Sequence, residues 1–227
     1  MAAAGYYALA ASLPFLPPLP QNKNLPFTRP HLEKRINGLL AREHLTLLEQ
    51  YRSFVSFSER GNQGDKDYLR RAKEFMQRLP DPDLQENFTW FMEFRMTTAA
   101  IRRRERGLPP PGLEEGWWRG YVLEYLVHYW QEPNFRLERR FPFLGEYVVA
   151  VRSGDMANAG RLLLEAAEGE LRRAGESHDF DLTAIIFYVL RFGLIERWIA
   201  QRDERRATEA ITALLQRVLH SSEAYPS

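Results

Sequence analysis

The sequence predicts an all-α protein, a bundle-like array of about eight to nine helices, and three observations predict it. Apolar residues recur at three- and four-residue steps through most of the chain. Capping residues, prolines and glycines punctuate these runs where helices would start and stop. No stretch alternates apolar and polar residues with the period of two that marks a half-buried strand.

Taken in order, Tyr6 to Leu13 is a short apolar run with two tyrosines, which fits either a first helix or an extended segment packed on the core. Thr28-Arg29-Pro30 opens a helix with Leu32, Ile36, Leu39 and Leu40 as its stripe, Thr28 being the cap and Pro30 lying in the first turn. A second helix runs from Arg42 to Phe57 with Leu45, Leu48, Tyr51, Phe54 and Val55 inward, and Gly61 to Gly64 is a loop. Asp65 caps a helix to Leu79, and Asp81-Pro82 caps and starts the next, which carries Leu84, Phe88, Phe91, Phe94 and Ile101 to Arg106. Gly107 ends it. The stiff Pro-rich linker 107–112 is the candidate subdomain boundary within one helical domain spanning 1–227.

Glu114 to Gln131 reads as an aromatic-rich helix, and Phe135 to Val151 as a helix broken at Pro142, which lacks an amide hydrogen. Asp155 caps a helix from Ala157 to Ala174. Phe180 to Ala200, with Asp179 or Asp181 as cap, is the longest apolar-periodic segment. Leu182, Ile185, Ile186, Val189, Phe192 and Ile199 form its face, and Tyr188, Leu190, Leu194, Ile195 and Trp198 widen it. A helix apolar nearly all round belongs inside a larger body, so Arg191, Glu196 and Arg197 need partners or water. Asp203 caps a final helix to Leu219, with Ala207, Ala210, Ile211, Leu214, Leu215 and Val218 inward.

Composition excludes several classes. Hydrophobic residues make up 44% of the 227 and charged residues 27%, ordinary globular values that leave wholesale disorder out. Thirty-one basic against 30 acidic residues give +1, without the basic excess of a nucleic-acid binder. The absence of cysteine removes disulfides, thiolate zinc sites and cysteine nucleophiles. The apolar N-terminus has no Lys or Arg ahead of it and is broken by Pro14, Pro17, Pro18 and Pro20, so it is not read as a signal peptide. No run approaches the ~20 apolar residues of a membrane span. A cytoplasmic protein without direct membrane insertion is expected.

No motif names a chemistry, so no catalytic, cofactor or metal residues are assigned. His31, His44, His128, His178 and His220 include no i, i+4 pair for zinc. His178-Asp179-Phe180-Asp181 offers potential ligands, but a capping cluster explains the same residues. Glu124 and His128 share a face without the Glu-x-x-His spacing of di-iron bundles. Glu165, Glu168 and Glu170 lie among Arg161, Arg172 and Arg173 as a solvated helix face. The basic run Arg102-Arg103-Arg104-Glu105-Arg106 sits where the helix dipole favours cations, with contact to an acidic partner surface as the lesser alternative.

Three stretches resemble a bacterial family of unassigned function encoded beside V-type (A-type) ATPase operons. GYYALAASLP (Gly5–Pro14) is similar to that family's opening. WFMEFR (Trp90–Arg95) with AAIRRR (Ala99–Arg104) resembles its helix with an acidic-aromatic centre and a basic end. Phe180-Asp181, YVLR (Tyr188–Arg191) and IERW (Ile195–Trp198) resemble its C-terminal segment. The family is in turn similar to the ATPase C/d subunit, the helical adaptor that seats the central rotor on the membrane ring. Gly193 and the tyrosine-rich middle depart from the pattern. The resemblance implies a helical body with weakly repeated units, no catalysis, no cofactor, and attachment to the rotor shaft and membrane ring of such a complex, peripheral to the inner membrane. It marks Glu93, Arg95, Arg102, Arg103, Tyr188, Glu196, Arg197 and Trp198 as signature or interface residues. The alternatives are a helical protein-interaction scaffold unrelated to ATPases and, last, an all-α enzyme using Glu124, His128, His178 and Asp179.

Overall fold

The computed structural model describes residues 2–21, 24–55, 66–112 and 116–223, as backbone alone at 2–5 and 204–223. The described residues form α-helices and one 3-10 turn, Leu19–Gln21, without a strand. The all-α expectation holds. The helices are α1 (Ala2–Ser12), α2 (Arg29–Leu39), α3 (Arg42–Val55), α4 (Lys66–Arg78), α5 (Pro82–Glu105), α6 (Tyr121–His128), α7 (Leu144–Ser153), α8 (Met156–Ala174) and α9 (Leu182–Glu223).

Two helices share the centre. The first half of α9 is buried through Ile185, Ile186, Phe187, Val189, Phe192 and Ile195, and it packs on α1, α3 and α8. α5 is enclosed more completely, touching α3, α4, α6, α7 and α8. Trp90, Phe91, Met92, Glu93 and Phe94 are all buried in succession, so no side of that turn meets solvent. Each such apolar side chain contributes about 1.5–3 kcal/mol by leaving water. One core cluster contains residues on both sides of the 107–112 linker, and Trp118 packs edge-on against Phe88 across it at 6.3 Å.

Local signals set several boundaries. The Asp81 carboxylate accepts from the Asp83 amide at 2.8 Å and caps α5, with Pro82 in its first turn. Asp155 caps α8 through the Asn158 amide, and Asp181 caps α9 through the Ala184 amide at 2.7 Å. Thr28 occupies the cap position of α2, although its side chain makes no capping bond. Tyr6 to Leu13 resolves as helix through Ser12. The Gly61–Gly64 loop, the Asp65 cap and the Glu114 helix start lie outside the described residues.

Three expectations are corrected. The aromatic helix is only Tyr121–His128, because the backbone at Gly120 is extended and leaves Trp117 and Trp118 before it. The helix from Phe135 is instead a series of turns up to α7. Phe135 and Arg136 adopt positive φ of 53° and 58°, a conformation non-glycine residues rarely take. Tertiary contacts hold it there: Phe135 is fully buried, stacked on Trp130 at 5.5 Å and covered by the Arg104 guanidinium at 4.5 Å. Finally, Asp203 caps nothing, because α9 runs unbroken for 42 residues, about 63 Å at 1.5 Å per residue.

Candidate functional site

The N-terminal helix α1 meets the chain just before and at the start of α9. Ser12 ends α1, and the Leu-Pro turn that follows leaves backbone carbonyls without helical partners. Two guanidinium groups take them up: Arg35 donates to the Ser12 carbonyl at 2.6 Å, and Arg191 donates to that of Leu16 at 2.9 Å. Arg191 also donates through Nε and Nη2 to Glu168 on α8, at 3.0 and 2.7 Å. The Tyr7 and Phe180 rings lie 4.7 Å apart, and the Tyr6 hydroxyl bonds His44 at 2.8 Å. Between the turn, the end of α8 and the start of α9 lies a cavity of about 310 Å³, lined among others by Leu13, Phe15, Leu171, Arg172, His178 and Phe187. Phe15 is 81% exposed at its rim, and Tyr7 and Phe180 are exposed nearby.

His178 closes one side of this cavity and ties α9 to α5. Its Nδ1 lies 2.7 Å from Asp181 and its Nε2 2.9 Å from Asp83, with the side chain only 10% exposed. A neutral imidazole has a single N–H, so both contacts are donor bonds only in the imidazolium. Desolvation lowers the pKa of His178, but the bonds to Asp181 and Asp83 outweigh it and the net shift is upward. The ligand atoms of Asp81, Asp83 and His178 lie within 4.8 Å of one another, a possible cation triad among the described residues. Both Asp81 oxygens are already engaged, by the Asp83 amide and the Thr183 hydroxyl, as are both imidazole nitrogens. The network is a cap and a joint. Glu124, His128 and Asp179 are not part of the triad.

The signature residues are spread over the body rather than gathered. Glu93 is buried and paired with Arg140 at 3.0 Å; desolvation raises its pKa against the pull of Arg140. Arg95 donates to the Phe54 carbonyl at 2.6 Å and lies over Tyr68. Arg102 donates to the Tyr147 hydroxyl at 3.3 Å, and Arg103 to the Pro109 carbonyl at 2.7 Å. Tyr188 lines the cavity, but its hydroxyl is buried without a hydrogen-bond partner among the described residues, and desolvation pushes its pKa to about 12 against the influence of Arg191 and Arg35. Glu196 accepts from Arg29 Nε at 2.8 Å, Trp198 is half-buried against the core, and Arg197 is exposed.

The solvated-face expectation for the α8 glutamates is overturned at two of the three positions. Glu168 and Glu170 are buried, the first paired with Arg191 and the second with Arg173 at 2.7 Å; Glu165 pairs along the helix with Arg161. Arg104 does more than complement a helix dipole. It donates to the carbonyls of Trp130, Glu132 and Pro133 and holds the positive-φ turn in place. Arg191 stands in the sequence as a charge needing a partner, but nothing in its local spacing points to Glu168. Comparisons with protein-family models, with curated proteins and with solved structures returned no match.

Proposed function

We propose that the chain is a non-enzymatic subunit of a V-type or A-type ATPase, an adaptor between the rotor shaft and the membrane ring. The observation that carries this reading is the resemblance of its three stretches to the family that accompanies such operons. Two of them, Gly5–Pro14 and the Phe180–Trp198 segment, are far apart in sequence yet pack together through Tyr7 and Phe180. Next to them lie the 310 Å³ cavity and the exposed Phe15. A body whose buried charges are paired internally and whose core is densely aromatic is mechanically suited to seating one large assembly on another. No helix among the described residues is long and apolar enough to cross a membrane, so attachment to the ring would be through protein contacts.

The test is copurification. The tagged chain, expressed in its native host, is expected to bring down rotor-shaft and ring subunits, and Phe15→Ala to weaken that association without altering the melting temperature. Recovery with unrelated partners alone, and a gene lying outside any ATPase operon, would favour a general interaction scaffold.

A further inference from the structure

The outward side of α4 carries a charge pattern that its core packing does not require. Ala72 and Phe75 are buried, with Leu69 and Met76 packed at their margin. Lys66, Arg70, Lys73 and Gln77 recur at steps of four, three and four residues, and all are exposed. That spacing sets them in one stripe along the helix, about 16 Å long at ~1.5 Å per residue. The stripe itself contains no carboxylate.

These four residues line one side of an open groove of about 490 Å³, whose other side is Gly116, Trp117 and Arg119 in the segment before α6. Leu69 and Trp117, both half-buried, supply its apolar lining. Arg70 is held by Asp67 at 2.9 Å, whereas Lys66, Lys73 and Arg119 make no ion pair among the described residues. Glu74 is the carboxylate in the lining, so positive charge remains in excess on both sides of the groove.

The complement to such a groove is an acidic amphipathic helix. Carboxylates at three- and four-residue steps run along one face of a helix, as the cations run along α4, and a leucine between them meets Leu69 and Trp117. A nucleic-acid strand fits less well. Glu74 would repel phosphates, Trp117 is partly committed to the core, and the chain's net charge is only +1.

We propose that this groove docks an acidic amphipathic helix of a partner protein, with its carboxylates on Lys66, Lys73 and Arg119. The proposal rests on the groove alone and is independent of the ATPase reading.

The test is fluorescence anisotropy on the full chain with labelled acetyl-Glu-Ala-Ala-Glu-Leu-Ala-Ala-Glu-Ala-Ala-Glu-Leu-Ala-Ala-amide. Binding is expected to saturate, to weaken as salt rises, and to fall about ten-fold when every Glu of the peptide is replaced by Gln. Lys73→Gln and Arg119→Gln are each expected to weaken binding about three-fold. Lys66→Gln gives the same readout if either variant fails to fold. Lys34→Gln, the same charge change at an exposed position on α2, is expected to leave affinity unchanged. Absence of saturable binding, or an equal loss in Lys34→Gln, would overturn the proposal. Tighter binding of an oligothymidylate of equal charge would also overturn it, by making the groove a nucleic-acid site.

Discussion

Arg191 on α9 and Glu168 on α8 form a near-buried ion pair, 2.7 Å apart, with side chains 14% and 5% exposed. The same guanidinium reaches the Leu16 carbonyl, so one side chain binds α9 to α8 and to the N-terminal turn.

Removing one partner of such a pair strands the other. Arg191→Leu is expected to cost about 3–5 kcal/mol, because Glu168 would be left buried and uncompensated. The double variant Arg191→Leu/Glu168→Leu should recover most of that loss. Urea unfolding of the two variants decides it, and a double variant no more stable than the single one would contradict the pairing argument.

Glu93 and Arg140 look alike on paper but should behave differently. Arg140 is 27% exposed and can return to water, whereas ionised Glu93 bears the desolvation that raises its pKa. Glu93→Gln is therefore expected to change stability by no more than about 1 kcal/mol at neutral pH, well below the Arg191→Leu effect. Chemical denaturation at matched pH compares them directly.

The His178 joint gives stability a pH dependence of defined sign. Its folded pKa is raised above the ~6.5 of an unperturbed histidine. The stabilisation is therefore complete below pH ~6.5 and is lost as pH rises through the folded value. Melting curves from acid to mildly alkaline pH should show this decline, and His178→Ala should remove it. An NMR titration placing the His178 pKa at or below the unperturbed value would refute the doubly bonded imidazolium.

Arg104 is expected to govern the 130–137 turn. Arg104→Ala removes charge-assisted bonds to three carbonyls and the cover over Phe135, a loss of about 2–4 kcal/mol. Hydrogen exchange should speed at the Phe135 and Leu137 amides, which bond across this turn. Unchanged protection there would mean that the turn holds its positive-φ residues without Arg104.

What could be read from the sequence follows the range of each interaction. The caps at Asp81, Asp155 and Asp181 were legible because a cap acts within three residues. The role of Glu168 was not, because its i, i+4 surroundings contain arginines that explain it locally, while its actual partner lies 23 residues on. Glu93 finds Arg140 at 47 residues and His178 finds Asp83 at 95, distances over which one sequence carries no pairing signal. Phe135 and Arg136 take a backbone conformation that only their tertiary contacts justify, so a helical period there was misleading. Asp203 carried a cap's identity but sits within an uninterrupted helix. Of the candidate site, the aromatic N-terminal run and the α9 segment were visible as separate stretches. Their convergence and the cavity beside them appear only in three dimensions.

The most direct measurement is to purify the intact ATPase from the native host through one of its catalytic subunits and quantify this chain by mass spectrometry. The adaptor reading predicts that the chain is present in fixed proportion to the rotor-shaft subunits and is lost when the rotor is stripped from the ring. An intact, active complex that lacks the chain would contradict it.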